Sequence, residues 1–411
     1  MLEGAYAGLK VLDFTHVVAG PMTTRMLADH GAEVVKVESP AGDLLRNVPV
    51  EYGPKLTSHF AQYNCGKRSI VLDLKQPDAV QVALELCDWA DVIVENFSHG
   101  TLDRLGIDVD ALLERRPELI FCSVSTFGSY GPHRDKPGFG YVAESYSGLM
   151  WLNGDGDEPP SFFGTPLADA NVGVHAFAAL GAALFRRAQT GLGTRLDLSS
   201  FDALVTMIDS AVTLHTFTNG ERAFGRFGTR HTLVVPASII GTQDGEYVTY
   251  GAPGDRAFAR VAAAMGRPEW METPHFGSPE GRVANQDELY DAIEAWASEF
   301  ETAQTLIDHF AAHGVPAARV RTVAECADDP ALVERGTLQP VPIEGRGDVL
   351  VPTAPHPMTG ARVAPAGPPP RLGEHTRDVL RDVLGLGEDR IQDLITSGAA
   401  RAHAEETTHA G

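Results

Sequence analysis

One carboxylate stands alone at the start of a long apolar run in this sequence. Asp169 lies in GTPLADANVGVHAFAALGAALFRRAQTG, residues 164–191, and the next formal charge is Arg186. A helix is predicted through this run, with Asp169 at or just before its first turn. The apolar side chains that recur at helical spacing and carry this prediction are Val174, Phe177, Leu180 and Leu184.

Two kinds of chemistry suit a carboxylate at the start of a helix. A short acceptor there caps a free backbone N–H group, which is the more common use. An anion held at the positive end of a helix can instead act as a nucleophile, which is rare. The residues around Asp169 leave both readings open, so the rest of the chain must decide between them.

The bulk composition limits the kinds of protein and of partner. A chain of 411 residues is too long for one ordinary core, so we expect two domains. Hydrophobic residues make up 43% and charged residues 21%, a balance typical of globular proteins. The net charge of −22 argues against nucleic acid or an anionic membrane as a partner.

The cysteines and the N-terminus indicate a cytoplasmic protein. The four cysteines lack CxxC spacing and predict reduced thiols rather than disulfides. The start, MLEGAYAGLKVLDF, has no secretory signal pattern, and no apolar run is expected to reach the ~20 residues of a membrane helix. The histidines show no metal-ligand spacing, so no metal site is predicted.

Strands and helices alternate in the first half of the chain, with helices predicted in PMTTRMLADH, near 78–88 and near 100–115. This alternation predicts an α/β fold with a doubly wound, mostly parallel, Rossmann-like sheet, which binds ligands at the carboxyl ends of its strands. THVVAG follows the first strand where a dinucleotide site needs GxGxxG, so NAD is not predicted. The predicted strands are LKVLDF (9–14), EVVKVE (33–38), SIVLDL (69–74), VIVEN (92–96) and LIFCSVS (119–125).

The domain organisation follows from changes in this pattern. Residues 1–200 are predicted to form a large domain that is completed by 340–395, and 225–330 a smaller α+β domain. The proline-rich APAGPPPRLG, residues 364–373, is predicted to be an extended connector. The remaining segments are predicted to be linkers at 201–224 and 331–345 and a disordered tail at 396–411.

Five segments, in order from about residue 8 to 385, give the chain a family resemblance. Together they resemble the class III coenzyme A transferases of the CaiB/BaiF type, the family that includes formyl-CoA transferase, the carnitine CoA-transferases and the acyl-CoA racemases. The first, third and fourth look most like formyl-CoA transferase. The segments are LDFTHVVAGP (12–21), GAEVVKVE (31–38), NCGKRSIVLDLK (64–75), ADVIVENF (90–97) with GTLDRLG (100–106), and PPRLGEHTRDVL (369–380).

The resemblance implies a transferase in which Asp169 is the catalytic nucleophile. The family's aspartate attacks an acyl-CoA thioester, and an aspartyl anhydride and an aspartyl-CoA thioester follow. No metal or tightly bound cofactor is implied; acyl-CoA and a small carboxylic acid are the substrates. Main-chain N–H groups near Gly138 and Gly140, or in Gly225 to Gly228, are candidates to stabilise the oxyanions.

The family's CoA contacts carry over by position. Among them, Arg104 and Lys136 would supply the positive charge that CoA phosphates need on an acidic protein. The family also implies a homodimer of interlocked chains. The CoA-binding residues implied by the resemblance are Val17, Val18, Ala19, Leu72, Asp73, Leu74, Lys75, Asn96, Phe97, Ser98, Arg104 and Lys136.

The sequence departs from particular family members at several positions. Ser39 replaces an arginine that contacts CoA in formyl-CoA transferase, and GRFGTR (225–230) is the nearest stretch to that enzyme's tetraglycine loop, so formyl or oxalate substrates are in doubt. Phe139 stands where the racemases have a histidine, which disfavours racemisation, and His175 is interpreted as structural. An acyl-CoA racemase and a non-catalytic acyl-CoA-binding protein are the alternatives.

Overall fold

The computed structural model describes residues 3–47, 56–156 and 158–403. By packing, the described chain forms two units. The large unit takes in the chain up to Leu149, Gly164–Asp209 and the chain from Asp329 onward, and the small unit takes in Met150–Phe163 and Ser210–Asp328. The segment 150–163 thus belongs to the small unit, although the sequence-based boundary placed it in the large domain.

The described residues of the chain form twelve strands and seventeen α-helices. Its strands are β1 Lys10–Asp13, β2 Glu33–Glu38, β3 Arg68–Leu72, β4 Val92–Glu95, β5 Ile120–Ser125, β6 Thr194–Ser199, β7 Ala237–Gly241, β8 Tyr247–Gly251, β9 Ala317–Arg319, β10 Leu338–Ile343, β11 Gly347–Pro352 and β12 Ala400–Arg401. Its α-helices are α1 Ala19–Asp29, α2 Ser58–Asn64, α3 Pro77–Trp89, α4 Thr101–Arg104, α5 Val109–Arg115, α6 Gly140–Ser147, α7 Leu167–Thr190, α8 Ser200–Val205, α9 Ala211–Phe217, α10 Asp255–Ala264, α11 Pro279–Ala284, α12 Gln286–Ala297, α13 Ala303–Ala312, α14 Val323–Ala327, α15 Pro330–Glu334, α16 Thr376–Asp378 and α17 Glu388–Thr396.

A seven-stranded sheet forms the large unit, in the order β12-β3-β2-β1-β4-β5-β6. All neighbours are parallel except β12, which pairs antiparallel with β3. The order 3-2-1-4-5-6 within it is that of the Rossmann fold. The predicted doubly wound, mostly parallel sheet is therefore confirmed. Its strand order reverses between β1 and β4, where such sheets bind their ligands.

Alternation of side chains along each strand builds one core on each face of this sheet. Val11 of β1 packs in a cluster with residues of α1 and α7, whereas its neighbour Leu12 packs with residues of α3, α5 and α17. Both side chains are fully buried. Strands buried on both faces are typical of parallel sheets covered by helices.

Three segments differ from the sequence-based expectations. The predicted linker 201–224 contains most of α8 and all of α9, and the predicted linker 331–345 contains most of α15 and β10. The predicted disordered tail begins too early, because β12 adds two backbone pairs to the edge of the sheet, Ala400 with Leu72 and Arg401 with Val71. Residues 404–411 of that tail lie outside the described residues.

The small unit has its own antiparallel sheet, in the order β7-β8-β9. Its core brings side chains of this sheet together with those of α10, α12 and α13, and Val248, Phe258 and Phe310 within it are fully buried. The small unit therefore combines an antiparallel sheet with helices.

The helix α7 is the longest element of the large unit. Its 24 residues, with a mean hydropathy of 1.3 over the most apolar window, suffice by length and composition to span a membrane, contrary to the expectation that no such run exists. Leu180 and three smaller residues, Val172, Ala176 and Ala183, face the core, while Val174, one of the apolar residues that predicted the helix, is 41% exposed. We therefore interpret α7 as a core helix of the large unit, whose inward side is small enough for close packing.

Gly173 sets the distance between α1 and α7. A Cβ atom there would lie 2.8 Å from the Ala19 carbonyl oxygen and 2.9 Å from Met22 Cβ, both on α1. The Thr23 hydroxyl donates to the Gly173 carbonyl oxygen at 3.1 Å, which holds the two helices in register. Only glycine permits this approach, so the position of α7 depends on it.

We expect Gly173→Ala to lower the free energy of unfolding by about 1–3 kcal/mol, because the added methyl forces α1 and α7 apart. Urea denaturation followed by circular dichroism measures the change. Gly181→Ala on the same helix is the matched control, since its Cβ would find only the Tyr6 hydroxyl at 3.4 Å. That variant should be neutral or stabilised by up to about 1 kcal/mol. Equal effects of the two substitutions would contradict the packing argument.

Candidate active site

The loop that follows β1 lies where the strand order of the large sheet reverses. The Asn96 side chain, just after β4, fixes this loop from the neighbouring strand. It accepts from the His16 backbone N–H at 2.9 Å and donates to the His16 carbonyl oxygen at 2.8 Å. Asn96, predicted to bind CoA, thus positions the loop backbone through both ends of its amide.

Buried charges hold the same loop from below. Asp13 accepts from the Lys67 ammonium at 2.9 Å and from the Thr15 backbone N–H at 2.8 Å. Lys36 donates to the Thr15 carbonyl oxygen at 2.6 Å. Burial alone would raise the pKa of Asp13, but Lys67, Lys36 and two threonine hydroxyls outweigh it and hold that pKa below its usual range. Lys67 is therefore a structural partner of Asp13.

Two cavities open beside this loop and meet at Phe97, which lines both. The first, about 410 Å³, has mainly apolar walls that include Phe14, Pro40 and Leu105. The second, about 290 Å³, lies between the segment 95–103 and the loop 125–138. Together they bring most of the predicted CoA-binding residues to one edge of the sheet. The first is lined by Leu72, Asp73, Leu74 and Lys75, and the second by Asn96, Ser98 and Lys136.

Glu95 supports Phe97 at the junction of the two cavities. Its carboxylate accepts from the Phe97 backbone N–H at 2.7 Å and from the Ser123 hydroxyl. Burial raises the pKa of Glu95 to about 7, an effect only partly offset by these two hydrogen bonds. The ring of Phe97 also contacts the His16 imidazole, with centroids 5.4 Å apart, so the loops after β1 and β4 form one wall.

Of the two predicted cationic contacts, Lys136 lines the second cavity, whereas Arg104 lines neither cavity. Lys136 is exposed and donates to the Tyr146 hydroxyl at 2.6 Å. Arg104 is exposed and donates to the Thr101 hydroxyl at 2.8 Å. Ser39, which replaces the arginine of formyl-CoA transferase, lines the first cavity. Lys136 and Lys75 are thus cations on the cavity walls with ends open to solvent.

Asp169 occupies the first turn of α7 and is not its cap. The cap position is Pro166, and no described residue donates a hydrogen bond to the Asp169 carboxylate. Gly140, the first residue of α6, packs directly against this carboxylate, since a Cβ there would lie 3.1 Å from Asp169 Cγ. Burial and then the nearby Glu144 raise the pKa of Asp169 to about 6. The carboxylate is therefore ionised at neutral pH, and it is partly buried rather than fully hydrated.

Glu144 and Tyr63 are neighbours of Asp169 that the sequence analysis missed. Glu144 is 3% exposed and accepts from the Ala168 backbone N–H at 3.2 Å, so it fixes the turn that carries Asp169. Tyr63 of α2 is partly buried, and burial followed by the charge of Asp169 raises its pKa. Glu144 lies 25 residues before Asp169 in the chain, and no local pattern links the two.

Other residues singled out from the sequence lie apart from the carboxylate or lack suitable chemistry. His175 is exposed on α7, and Phe139 is 63% exposed and stacks on Tyr141. Gly138 packs against Thr126, where a Cβ would lie 2.5 Å from that side chain. Gly225 to Gly228 belongs to the small unit. Of the proposed oxyanion segments, the structure brings the one at Gly140 against Asp169.

The loop after β1 and the Asp169 turn are connected through α1. Val18 and Ala19, predicted to bind CoA, are the cap and the first residue of α1, and both are buried. Ala19 then packs on Gly173, one helical turn beyond Asp169 on the same face of α7. The cavity edge and the nucleophile candidate therefore share one rigid support.

Comparison with known proteins identifies relatives along nearly the whole chain. The chain is 34% identical over 391 residues to succinyl-CoA--D-citramalate CoA-transferase of Chloroflexus aurantiacus, covering 94% of this chain and 96% of that protein. It is 31% identical over 408 residues to formyl-CoA:oxalate CoA-transferase of Streptomyces avermitilis, covering 96% and 99%. A CaiB/BaiF family protein from Brucella suis has the same fold, with a TM-score of 0.81, 29% identity and coverage of 93% and 100%.

The family model named CoA-transferase family III matches residues 6–376. This match spans six of the seven strands of the large sheet, both cavities, the Asp169 turn and the small unit. The resemblance read from the sequence is confirmed, and with it the assignment of the protein as a transferase enzyme. The chain belongs to CoA-transferase family III.

Proposed function

We propose that the protein moves CoA from an acyl-CoA donor to a carboxylic acid acceptor, with Asp169 as the nucleophile. The observation that carries this proposal is the environment of the Asp169 carboxylate. It has no hydrogen-bond donor among the described residues, lies against Gly140, and has a pKa raised to about 6 by burial and Glu144. Such a group is ionised at neutral pH and has few water molecules to lose before it attacks.

The first half of the proposed reaction transfers CoA to the enzyme. An Asp169 oxygen attacks the thioester carbonyl carbon, and the C–S bond breaks. CoA departs as its thiolate, and a mixed anhydride of Asp169 and the donor acid remains. The thiolate then attacks Asp169 Cγ, which forms an aspartyl-CoA thioester and releases the donor acid as its carboxylate. No proton is taken up or lost, so the steps need no general acid or base.

The second half repeats these steps with the acceptor acid. Its carboxylate attacks Asp169 Cγ, which re-forms an anhydride and frees the thiolate. The thiolate attacks the acceptor's carbonyl carbon and gives the new acyl-CoA and the original Asp169 carboxylate. Each tetrahedral intermediate needs N–H donors for its oxyanion, and the start of α6 at Gly140 is suitably close to Asp169 to supply them.

The two cavities at the carboxyl ends of β1, β3 and β4 support CoA as the carried group. Apolar walls around Leu72 and Leu74 suit an adenine ring, and Lys75 and Lys136 offer positive charge for phosphates. Val17, Val18 and Ala19 lie on the support shared with Asp169 and would meet the ligand between the cavities and the carboxylate.

The alternatives have less support. An acyl-CoA racemase of the family type needs an acid–base histidine where this chain has Phe139, whose ring cannot exchange a proton. A non-catalytic acyl-CoA-binding protein would not need the partly buried carboxylate of Asp169 beside the carboxylate of Glu144. Hydroxylamine with an acyl-CoA separates the three, since a transferase should yield a hydroxamate at Asp169, a racemase only α-proton exchange, and a binder neither.

The substrates and assembly are further parts of the proposal. The relative from Chloroflexus aurantiacus makes succinyl-CoA the first donor to assay, and the relative from Streptomyces avermitilis makes formyl-CoA a second. We also propose a homodimer, supported by the exposed apolar side of α7, where Val174 is 41% and Phe185 is 68% exposed. A cytoplasmic location agrees with the four free cysteines, which are typical of a reducing compartment.

We expect Asp169→Asn to lower CoA transfer on the order of 10³-fold or more while CoA affinity stays within about threefold. The reason is that the substitution removes the nucleophile but leaves the cavities unchanged. Turnover is followed by chromatography of the acyl-CoA products, and binding by calorimetry.

Asp202→Asn is the matched control for this experiment. Asp202 also lies in the first turn of a helix of the large unit, α8, but is exposed, so its replacement should leave turnover unchanged. Transfer at the wild-type rate by Asp169→Asn would remove the proposed mechanism.

We expect Glu144→Gln to shift the acid limb of the pH–rate profile to lower pH by up to about 1 unit. Burial and, to a smaller extent, the like charge of Glu144 raise the pKa of Asp169 to about 6, so removing that charge lets the carboxylate ionise at lower pH. The rate is measured from pH 5 to 8 with saturating substrates. Glu114→Gln, an exposed residue on α5, is the control and should leave the profile unchanged. An unmoved limb in Glu144→Gln would show that Glu144 does not influence Asp169.

A further inference from the structure

Val17 has a backbone conformation that its side chain disfavours. Its φ is +66°, in the left-handed region, where a β-branched residue is strained. Among the described residues the other non-glycine positions with positive φ are Asp209 and Asn219, types that tolerate this region well. Such strain persists only where the surroundings enforce it, and strained positions cluster at ligand sites.

Asp43 is the residue that enforces it. One carboxylate oxygen accepts from the Val17 backbone N–H at 3.1 Å and from the Leu45 backbone N–H at 3.0 Å. The other lies 3.0 Å from the Lys36 ammonium. Asp43 is 3% exposed, so water does not compete for these contacts.

Further contacts fix Asp43 itself and the residue before Val17. The Asp43 backbone N–H donates to Glu38 at 3.0 Å, which ties the loop after β2 to the sheet. Asn96 holds both backbone groups of His16, as described above. Asp43 thus fixes the N–H of Val17, and Asn96 fixes the backbone groups of the preceding residue. These contacts prevent Val17 from relaxing to a negative φ.

The left-handed turn at Val17 delivers the chain into the start of α1. The backbone N–H groups of Val18, Ala19 and Gly20 have no hydrogen-bond partner among the described residues, and all three residues are buried. Unpaired N–H groups are usual in the first turn of an α-helix, and the positive end of the helix favours an anionic group there.

We infer that Asp43 is a positioning residue that keeps Val17 in the left-handed conformation and so preforms the segment 15–20 for CoA, whose identity as the ligand rests on the proposed function. Asp43 acts through the Val17 N–H. Without Asp43, Val17 relaxes and the segment loses its binding geometry. Restoring that geometry then uses part of the free energy of CoA binding, so the affinity falls.

The test compares Asp43→Ala with a double variant that also carries Val17→Gly. We expect Asp43→Ala to weaken CoA binding about tenfold by calorimetry, in line with the strain that is released. Glycine adopts positive φ without strain, so the double variant should recover binding to within about threefold of the wild type. Ordinary destabilisation by the loss of Asp43 would not be rescued by glycine at Val17.

Asp29→Ala is the matched control. Asp29 is also buried, pairs with Arg25 at 2.7 Å and accepts from the Ala354 backbone N–H at 3.0 Å, but it does not contact the segment 15–20. Its replacement should leave CoA affinity unchanged in the folded protein. Equal weakening by both alanine variants would overturn the inference, as would wild-type affinity in Asp43→Ala or a failure of rescue.

Hydrogen exchange without ligand keeps this inference separable from the proposed function. Mass spectrometry should show faster exchange of the peptide containing Val17 in Asp43→Ala than in the wild type or Asp29→Ala, because the amide loses its acceptor. Unchanged exchange would overturn the role of Asp43. If the wild-type protein binds no CoA, the proposed function fails, and the exchange result still decides whether Asp43 holds the segment.

Discussion

Charged side chains inside a parallel sheet are the constraint on which this structure depends. Asp13 of β1 and Lys36 and Glu38 of β2 are at most 4% exposed, and an unpaired charge at such depth costs several kcal/mol. Each therefore takes a partner from outside its own strand. Lys67 pairs with Asp13, and Asp43 with Lys36. The sheet thereby dictates where the loops after β1 and β2 lie.

The same constraint connects the cavity edge with the nucleophile candidate. The loop after β1 ends in α1, and α1 packs on α7 through Gly173 at a distance that no other residue allows. Asp169 lies one turn before this contact. The buried charges fix the loop after β1, this loop leads into α1, and α1 packs on α7. This series of contacts holds residues that are 150 positions apart in the chain, such as Thr23 and Gly173, next to each other without a hydrogen bond to the Asp169 carboxylate.

The fold was predictable from the sequence where burial dictates a pattern. The first five strands are apolar runs, and β2 has the predicted bounds, whereas β6 was missed because Arg195 and Asp197 interrupt its run and its side chains are only partly buried. In the site, Asp169 was predictable from its isolation and from the family resemblance. The charges in β1 and β2 were a visible signal, but their partners lie in loops that follow no periodic pattern. Glu144 was missed for the same reason.

Asp13 and Asp169 have pKa values shifted in opposite directions by their surroundings. Two lysine charges and two threonine hydroxyls lower the pKa of Asp13, so it stabilises the fold and stays inert. Asp169 has no hydrogen-bond donor among the described residues, and its pKa is raised to about 6. A carboxyl group with a raised folded-state pKa stabilises the protein below its ordinary pKa, near 4, and loses that contribution as the pH rises through 6. At neutral pH the folded protein therefore holds Asp169 ionised at a loss of stability, and the attack on a thioester that we propose would relieve that unfavourable charge.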